Sequence, residues 1–249
     1  MKIKEIMSRS FTPDEMEFLH SYLEPIRPPH ITVDMVDIRR PSLPSESETA
    51  GWVKPCYDLR CVAFVAPLMI ERAEEAEKEG YDAVIFFCVW DPGIWSAKAA
   101  LNIPVIGETE SMFRVASLLA DRWGLITGIS PMKAILRKEI QAYNVGQNIV
   151  SVKSLDFDPY LEFKTKKAEL EARYIELGKE LIREGAELLI TNCGPLFPSL
   201  GREALERIRE ELGVVILDPQ ETALRMAEML VNLGVSQSKI TYPLAEYNF

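Results

Sequence analysis

Residues 79–88 read EGYDAVIFFC, and residues 184–193 read EGAELLITNC. Both stretches open on Glu-Gly, pass an acidic residue, run through an unbroken apolar segment and stop on a cysteine eight positions after the glycine. A short β-branched run with no polar alternation has no face to offer water. Each is therefore read as a strand buried on both sides, as strands are in parallel sheets covered by helices.

The echo extends outward. Residues 102–119, NIPVIGETESMFRVASLL, match residues 213–230, GVVILDPQETALRMAEML, placing Ile103 on Val214, Gly107 on Asp218, Glu110 on Glu221, Arg114 on Arg225 and Ala116 on Ala227. The cysteine segments match at an offset of 105 and these at 111, so about six extra residues follow the second cysteine. Two strand-and-helix units can resemble one another by composition alone, but equal glycine-to-cysteine spacing is harder to obtain from periodicity. A repeat of this length is a supersecondary unit written twice.

Apolar runs predict strands at Ile3 to Met7, Ile31 to Val36, Ala83 to Phe87, Pro104 to Ile106, Gly124 to Thr127, Ile149 to Val152, Leu188 to Thr191 and Val214 to Leu217. Helical periodicity fills the intervals at Asp14 to Leu23, Val62 to Glu79, Ile94 to Leu101, Ser111 to Arg122, Pro131 to Tyr143, Tyr160 to Glu184, Ser199 to Leu212 and Glu221 to Leu233. Arg39 to Arg60, rich in Pro and Ser, reads as a long loop. The fold class expected is α/β: two similar lobes, each a short parallel sheet flanked by helices, related by a pseudo-twofold axis with the site between them. The first lobe is expected over 1–117, completed by 220–249, and the second over 118–219.

Composition narrows the function. The 249 residues carry 38 Asp and Glu against 28 Lys and Arg, a formal charge of −10, with no basic track for phosphates, so nucleic acid is not an expected partner. No apolar run reaches the roughly 18 residues of a membrane helix and the N-terminus has no apolar signal core, so neither membrane nor export is expected and the reading is cytoplasmic. His20 and His30 stand far in sequence from other ligands, so no metal site is expected.

In open parallel α/β sheets, ligands bind beyond the carboxyl ends of the strands, where Cys88 and Cys193 stand. Asp91-Pro92 after the first cysteine and Pro198-Ser199 after the second read as helix starts. A thiol beside such a start has its thiolate favoured, which can lower a pKa of about 8.5 toward working pH. Two such thiols facing one cleft would supply a base and an acid on opposite faces of a carbon. Inversion of a stereocentre beside a carbonyl needs that pair and no cofactor.

The segments FCVWDPG (87–93), IPVIGE (103–108), NCGP (192–195) and VVILDP (214–219), with the following helix ending in MAEMLVNLG, resemble the aspartate/glutamate racemase superfamily, most nearly its hydantoin racemase branch. The resemblance covers nearly the whole chain. It implies Cys88 and Cys193 as the acid/base pair, no cofactor, and a small carboxylate or hydantoin as substrate. Homo-oligomerisation is a further possibility. It also implies substrate anchoring by groups after the first strand of each lobe, here Ser8, Ser10, Thr127 and Ser130, and beside the cysteines, here Asp91, Asn192 and Gly194. The chain departs from the hydantoin branch in having Met7-Ser8-Arg9-Ser10-Phe11-Thr12 where Asn-Pro-Asn-Thr is usual, and from the amino-acid racemases, which follow the first cysteine with Asn-Thr and the second with Thr-His, in having Val89-Trp90 and Gly194-Pro195 there. Arg9 could meet an anionic group or be a solvated charge, and Trp90, Trp95 and Phe197 could line a pocket or be ordinary packing. Cys56 and Cys61 read as buried thiols or a disulfide. Decarboxylation or cis-trans isomerisation of a small dicarboxylate, or binding without chemistry, are the alternatives.

Overall fold

The computed structural model describes residues 1–38, 58–159 and 162–244. Strand β1 (Lys2–Met7) pairs in parallel with β2 (Thr32–Asp37) on one side and β3 (Ala83–Phe87) on the other, and β3 pairs in parallel with β4 (Val105–Gly107). The same arrangement recurs downstream. Strand β5 (Trp123–Thr127) lies between β6 (Ile149–Ser154) and β7 (Leu188–Asn192), and β7 pairs with β8 (Val215–Leu217), all in parallel. Among the described residues the strands form two four-stranded parallel sheets of identical order, with the second and fourth strands at the edges and the first and third at the centre: β2-β1-β3-β4 and β6-β5-β7-β8. All residues of β3, β5 and β7 are buried, as strands covered on both faces must be.

The chain divides into two compact units. The first comprises Met1–Met16, Arg27–Glu108 and Ala223–Phe249; the second comprises Glu17–Ile26 and Thr109–Thr222. Helices α1 (Pro13–Leu23), α2 (Leu59–Lys78), α3 (Ile94–Ala100), α4 (Glu108–Leu119), α5 (Lys133–Ala142), α6 (Lys167–Arg183), α7 (Leu196–Leu200), α8 (Arg202–Leu212) and α9 (Pro219–Asn232) fill the intervals. Each of α1, α4 and α9 begins in one unit and ends in the other.

The first unit is closed partly by the segment after α9. Gln237 accepts from the Val105 amide at 3.3 Å and donates to the Leu101 and Ile103 carbonyls at 2.7 and 2.9 Å. This satisfies backbone groups at the start of β4 and in the turn before it, at the edge of the sheet where they would otherwise be offered to another chain. Asp58 caps α2 by accepting from the Cys61 amide at 2.9 Å. Cys61 thus lies in the first turn of α2, while Cys56 and most of the long Arg39 to Arg60 segment fall outside the described residues.

The second unit packs α6 and α8 onto its sheet. A side-chain carbon on Gly178 of α6 would stand 2.5 Å from Leu212 Cδ1 and 3.2 Å from Leu189 Cδ1, so the glycine is what lets helix, neighbouring helix and strand close together. Leu170, Leu181, Leu189, Leu205 and Ile208 are fully buried in this core, each side chain contributing about 1.5–3 kcal/mol by leaving water.

Several helix boundaries differ from those read in the sequence. Expected as one helix from Ser199, the segment after Cys193 is two: α7 ends at Leu200, and Gly201, at φ +94°, turns the chain into α8. The long helix expected from Tyr160 begins only at Lys167, because Glu162 accepts from the Asp158 amide at 2.8 Å and pairs with Lys166 at 2.7 Å, holding a turn ahead of α6.

Candidate active site

Register fixes the cysteines before any chemistry does. Each is the first residue after the third strand of its chain half, Cys88 after β3 and Cys193 after β7, and those strands hold the same place in their sheets. Met7 pairs with Phe87 and Thr127 with Asn192, so one residue further Ser8 stands beside Cys88 and Gly128 beside Cys193. On the other side, Phe86 pairs with Gly107 and Ile190 with Leu217, which sets Thr191 beside Asp218. The sequence offsets of 105 for the cysteine strands and 111 for the last strands are therefore the structural ones.

In the first unit Cys88 is 8% exposed. A turn follows: the Asp91 amide donates to the Cys88 carbonyl at 2.9 Å, and the Ile94 amide to the Asp91 carbonyl at 3.1 Å. Asp91 is buried and held at φ +39°, an uncommon conformation for a non-glycine residue and one that clusters at functional loops. Asp91 does not cap the next helix, contrary to the sequence reading. Gly93, at φ +73°, is the N-cap of α3, because the turn from Cys88 uses two more residues than an Asp-Pro start would. The Asp91 carboxyl instead lies against Gly107, where a side-chain carbon would come within 2.5 Å of it.

Ser8 and Ser10 are partly buried after β1. Between them Arg9 is committed to its own loop and to the first turn of α1: its guanidinium meets Glu15 at 2.8 and 3.3 Å, donates to the Ser10 carbonyl at 2.7 Å and stacks 3.7 Å over Phe11. Val89 and Trp90 are buried beside Cys88, whereas Trp95 on α3 is half-exposed.

In the second unit Cys193 is 1% exposed and belongs to the apolar core. A side-chain carbon on Gly128 would stand 2.9 Å from Pro159 Cγ and 3.2 Å from Met132 Sδ, so these two residues are what glycine makes room for, while the Cys193 Sγ lies at an ordinary contact distance of 3.4 Å. Thr127 is fully buried with its hydroxyl on Met132 Sδ at 3.8 Å. Ser130 is exposed; its amide and hydroxyl donate to Asp156 Oδ1 at 3.1 and 2.9 Å, and Ser154 donates to the same oxygen at 2.7 Å. Burial pushes the Asp156 carboxyl up, but the Ser154 and Ser130 hydrogen bonds outweigh it and hold the group below the ordinary aspartate range.

Asn192, fully buried, donates from Nδ2 to Thr109 Oγ1 at 2.9 Å, and Gly194 is buried on the other side of Cys193. The helix after this cysteine does not start at Pro198-Ser199 as the sequence suggested. Pro195 is its N-cap and α7 opens at Leu196. Phe197 is fully buried with its ring 5.6 Å from that of Tyr174, so it belongs to packing.

Sequence reasoning missed the charged cluster at the end of β8. Asp218 caps α9 by accepting from the Gln220 and Glu221 amides at 3.0 and 3.3 Å, with Pro219 at the first helical position. Its other oxygen accepts from the Tyr22 hydroxyl and stands 3.4 Å from Arg202, whose guanidinium lies 4.0 Å over the Tyr22 ring and pairs with Glu221 at 2.9 Å. Burial raises the Asp218 pKa, with the Arg202 charge opposing it. The signal available in the sequence was Asp-Pro ahead of a helical period; Tyr22 and Arg202 carried none.

Among the described residues no three His, Cys, Asp or Glu side chains group to hold a metal ion, and no helix is long and apolar enough to cross a membrane.

The profile of the family described as Asp/Glu/Hydantoin racemase matches residues 26–227. The chain is 28% identical over 186 residues to a hydantoin racemase of Pseudomonas sp. (strain NS671), covering 72% of this chain and 71% of that one. It is similar in structure to the allantoin racemase of Pseudomonas fluorescens, with a TM-score of 0.82 at 20% identity over 100% of this chain and 99% of that one. Its TM-score to the allantoin racemase of Klebsiella pneumoniae is 0.79, at 21% identity over 99% and 95% of the two chains. At such identities the structural likeness is one of fold.

Proposed function

The chain belongs to the Asp/Glu/Hydantoin racemase family and is an isomerase by that membership, and we propose that it inverts the stereocentre of a hydantoin-type ring, using Cys88 and Cys193 as an acid/base pair without a cofactor. The observation that carries this reading is the equivalence of the two cysteines: each follows the third strand in one of two sheets of identical order. A reaction that treats the two faces of one carbon alike is served by two equivalent groups.

The chemistry follows from the ring. The carbon to be inverted carries one hydrogen and adjoins a carbonyl, so removing the proton leaves an enolate whose charge spreads onto oxygen. One cysteine, as thiolate, accepts that proton and becomes a thiol. The other cysteine, as thiol, gives its proton to the other face and becomes a thiolate. The protein ends the turnover with the same proton count and exchanged roles. Backbone N–H groups at strand ends are suited to the enolate oxygen, since donors fixed in advance cost nothing to reorganise.

We assign substrate contact to Ser8, Ser10 and Gly194, which adjoin or lie near the cysteines, and to Asp91, whose strained turn starts at Cys88. In the second unit Thr127 and Ser130 at the loop after β5, and Asn192 before Cys193, are held by hydrogen bonds to Met132, Asp156 and Thr109.

The test is incubation of single enantiomers of allantoin, of 5-substituted hydantoins, and of aspartate and glutamate in deuterated water, following optical rotation and deuterium at the stereocentre. The expected result is loss of rotation for a hydantoin-type ring faster than its spontaneous rate, with about one deuterium per inversion. Inversion confined to the amino acids, or of none of these compounds, overturns the proposal.

A further inference from the structure

The end of β7 departs from its counterpart in β3. The last two residues of β3 are Phe86 and Phe87; at the equivalent places β7 has Thr191 and Asn192, polar residues closing an apolar strand. Successive strand residues point to opposite faces of a sheet. On one face Thr191 Oγ1 meets the Tyr174 hydroxyl of α6 at 2.6 Å; on the other Asn192 Nδ2 donates to Thr109 Oγ1, in the first turn of α4, at 2.9 Å. All four residues are fully buried.

Buried polar side chains cost stability unless they are bonded, and an apolar strand end would have been the easier solution, as β3 demonstrates. Two opposed hydrogen bonds do what apolar packing cannot: they fix the rotation of the strand about its own axis as well as its depth. The next residue is Cys193. Because Sγ sits on a short side chain, a few degrees of rotation at Asn192 moves it by a sizeable fraction of an ångström.

We propose that Thr109 is a positioning residue for Cys193, acting through Asn192. This rests on the reading of Cys193 as one of the two proton-transfer groups. It also makes the two cysteines unlike: Cys193 follows a strand end anchored through side-chain hydrogen bonds on both faces, and Cys88 follows two phenylalanines.

The test compares Thr109→Val, in which a methyl replaces the hydroxyl and removes the acceptor, with Thr109→Ser, which keeps it. Thr109→Val is expected to lower kcat/KM about tenfold, the loss of one buried hydrogen bond expressed at the transition state, and Thr109→Ser to remain within about twofold of the parent. Since the equilibrium constant of a racemisation is one, kcat/KM falls equally for both enantiomers, but the substrate deuterium isotope effect does not behave equally. It should rise for the enantiomer deprotonated by Cys193 and fall for the other, whose slow step becomes reprotonation by Cys193.

A readout independent of turnover is alkylation by iodoacetamide as a function of pH, resolved at each cysteine by peptide mass. Thr109→Val should shift the Cys193 profile and leave that of Cys88 in place, with Thr109→Ser restoring it. An unchanged Cys193 profile, or equal change at both cysteines, overturns the positioning role. If the parent protein inverts none of the test compounds, the proposed function fails while alkylation still decides this inference. Should Thr109→Val fail to fold, Tyr174→Phe, which removes the anchor on the opposite face, carries the same comparison.

Discussion

Tyr22 donates its phenolic hydrogen to the carboxylate of Asp218, 196 residues further along the chain, inside the second unit. The bond joins α1 to the end of β8 and holds the Tyr22 ring beneath the Arg202 guanidinium. Replacing Tyr22 by Phe keeps the ring and removes the donor, leaving one oxygen of a fully buried carboxylate short of a partner. The expected loss is about 1–3 kcal/mol, measured by urea unfolding. An unchanged midpoint would show that the hydroxyl contributes nothing.

Asp218→Asn reports the charge itself. Burial raises the folded-state pKa of Asp218 above the unfolded value, so the group favours folding most at low pH, and that contribution is lost as pH rises through the folded value. Asparagine has no charge to bury. The melting temperature of Asp218→Asn relative to the parent should therefore increase between pH 4 and pH 8. A difference that is flat or falls with pH would assign the dominant effect to Arg202.

The alternation of strand and helix was legible because it rests on local periodicity. Each of the eight expected strands is present, Ala83–Phe87 with the boundaries read from the sequence, and the Gly-to-Cys spacing located both cysteines at strand ends. What failed was punctuation that depends on a single dihedral. Asp91-Pro92 and Asp218-Pro219 look alike in sequence, yet only the second caps a helix, because Asp91 is turned to φ +39° by the chain leaving Cys88. Thr109, Tyr22 and Arg202 were invisible for another reason. Their partners are 83, 196 and 16 residues away, and no periodicity records which loops a fold brings together.

Cys88→Ser and Cys193→Ser separate chemistry from packing. Serine nearly keeps the volume but is a far weaker acid, so each variant should fold and lose inversion in both directions by at least about a thousandfold. Exchange of the substrate proton with solvent should persist for one enantiomer in Cys88→Ser and for its mirror image in Cys193→Ser. Inversion at the parent rate in both variants would reduce the cysteines to core residues.

Asp156 makes an acid-side prediction. Its folded pKa lies below the unfolded value, so its contribution is present above the ordinary aspartate pKa and is lost as pH falls through the folded one. Asp156→Asn should flatten the melting temperature in that acid range. Asp156→Ala should cost about 1 kcal/mol more than Asp156→Asn at neutral pH, because φ +58° suits Asn and strains Ala. Equal melting temperatures for the two variants would dismiss the backbone contribution.

Gly107 and Asp218 hold the same place at the ends of equivalent strands, yet the first unit brings its carboxyl there from Asp91, in the loop after Cys88. The two halves are therefore not interchangeable parts. Grafting an aspartate onto Gly107 to copy the second half would drive a side chain to within 2.5 Å of a carboxyl already in place. A side chain at Gly107 therefore goes together with a shift or replacement of Asp91, and copying the second half into the first calls for changes at both positions.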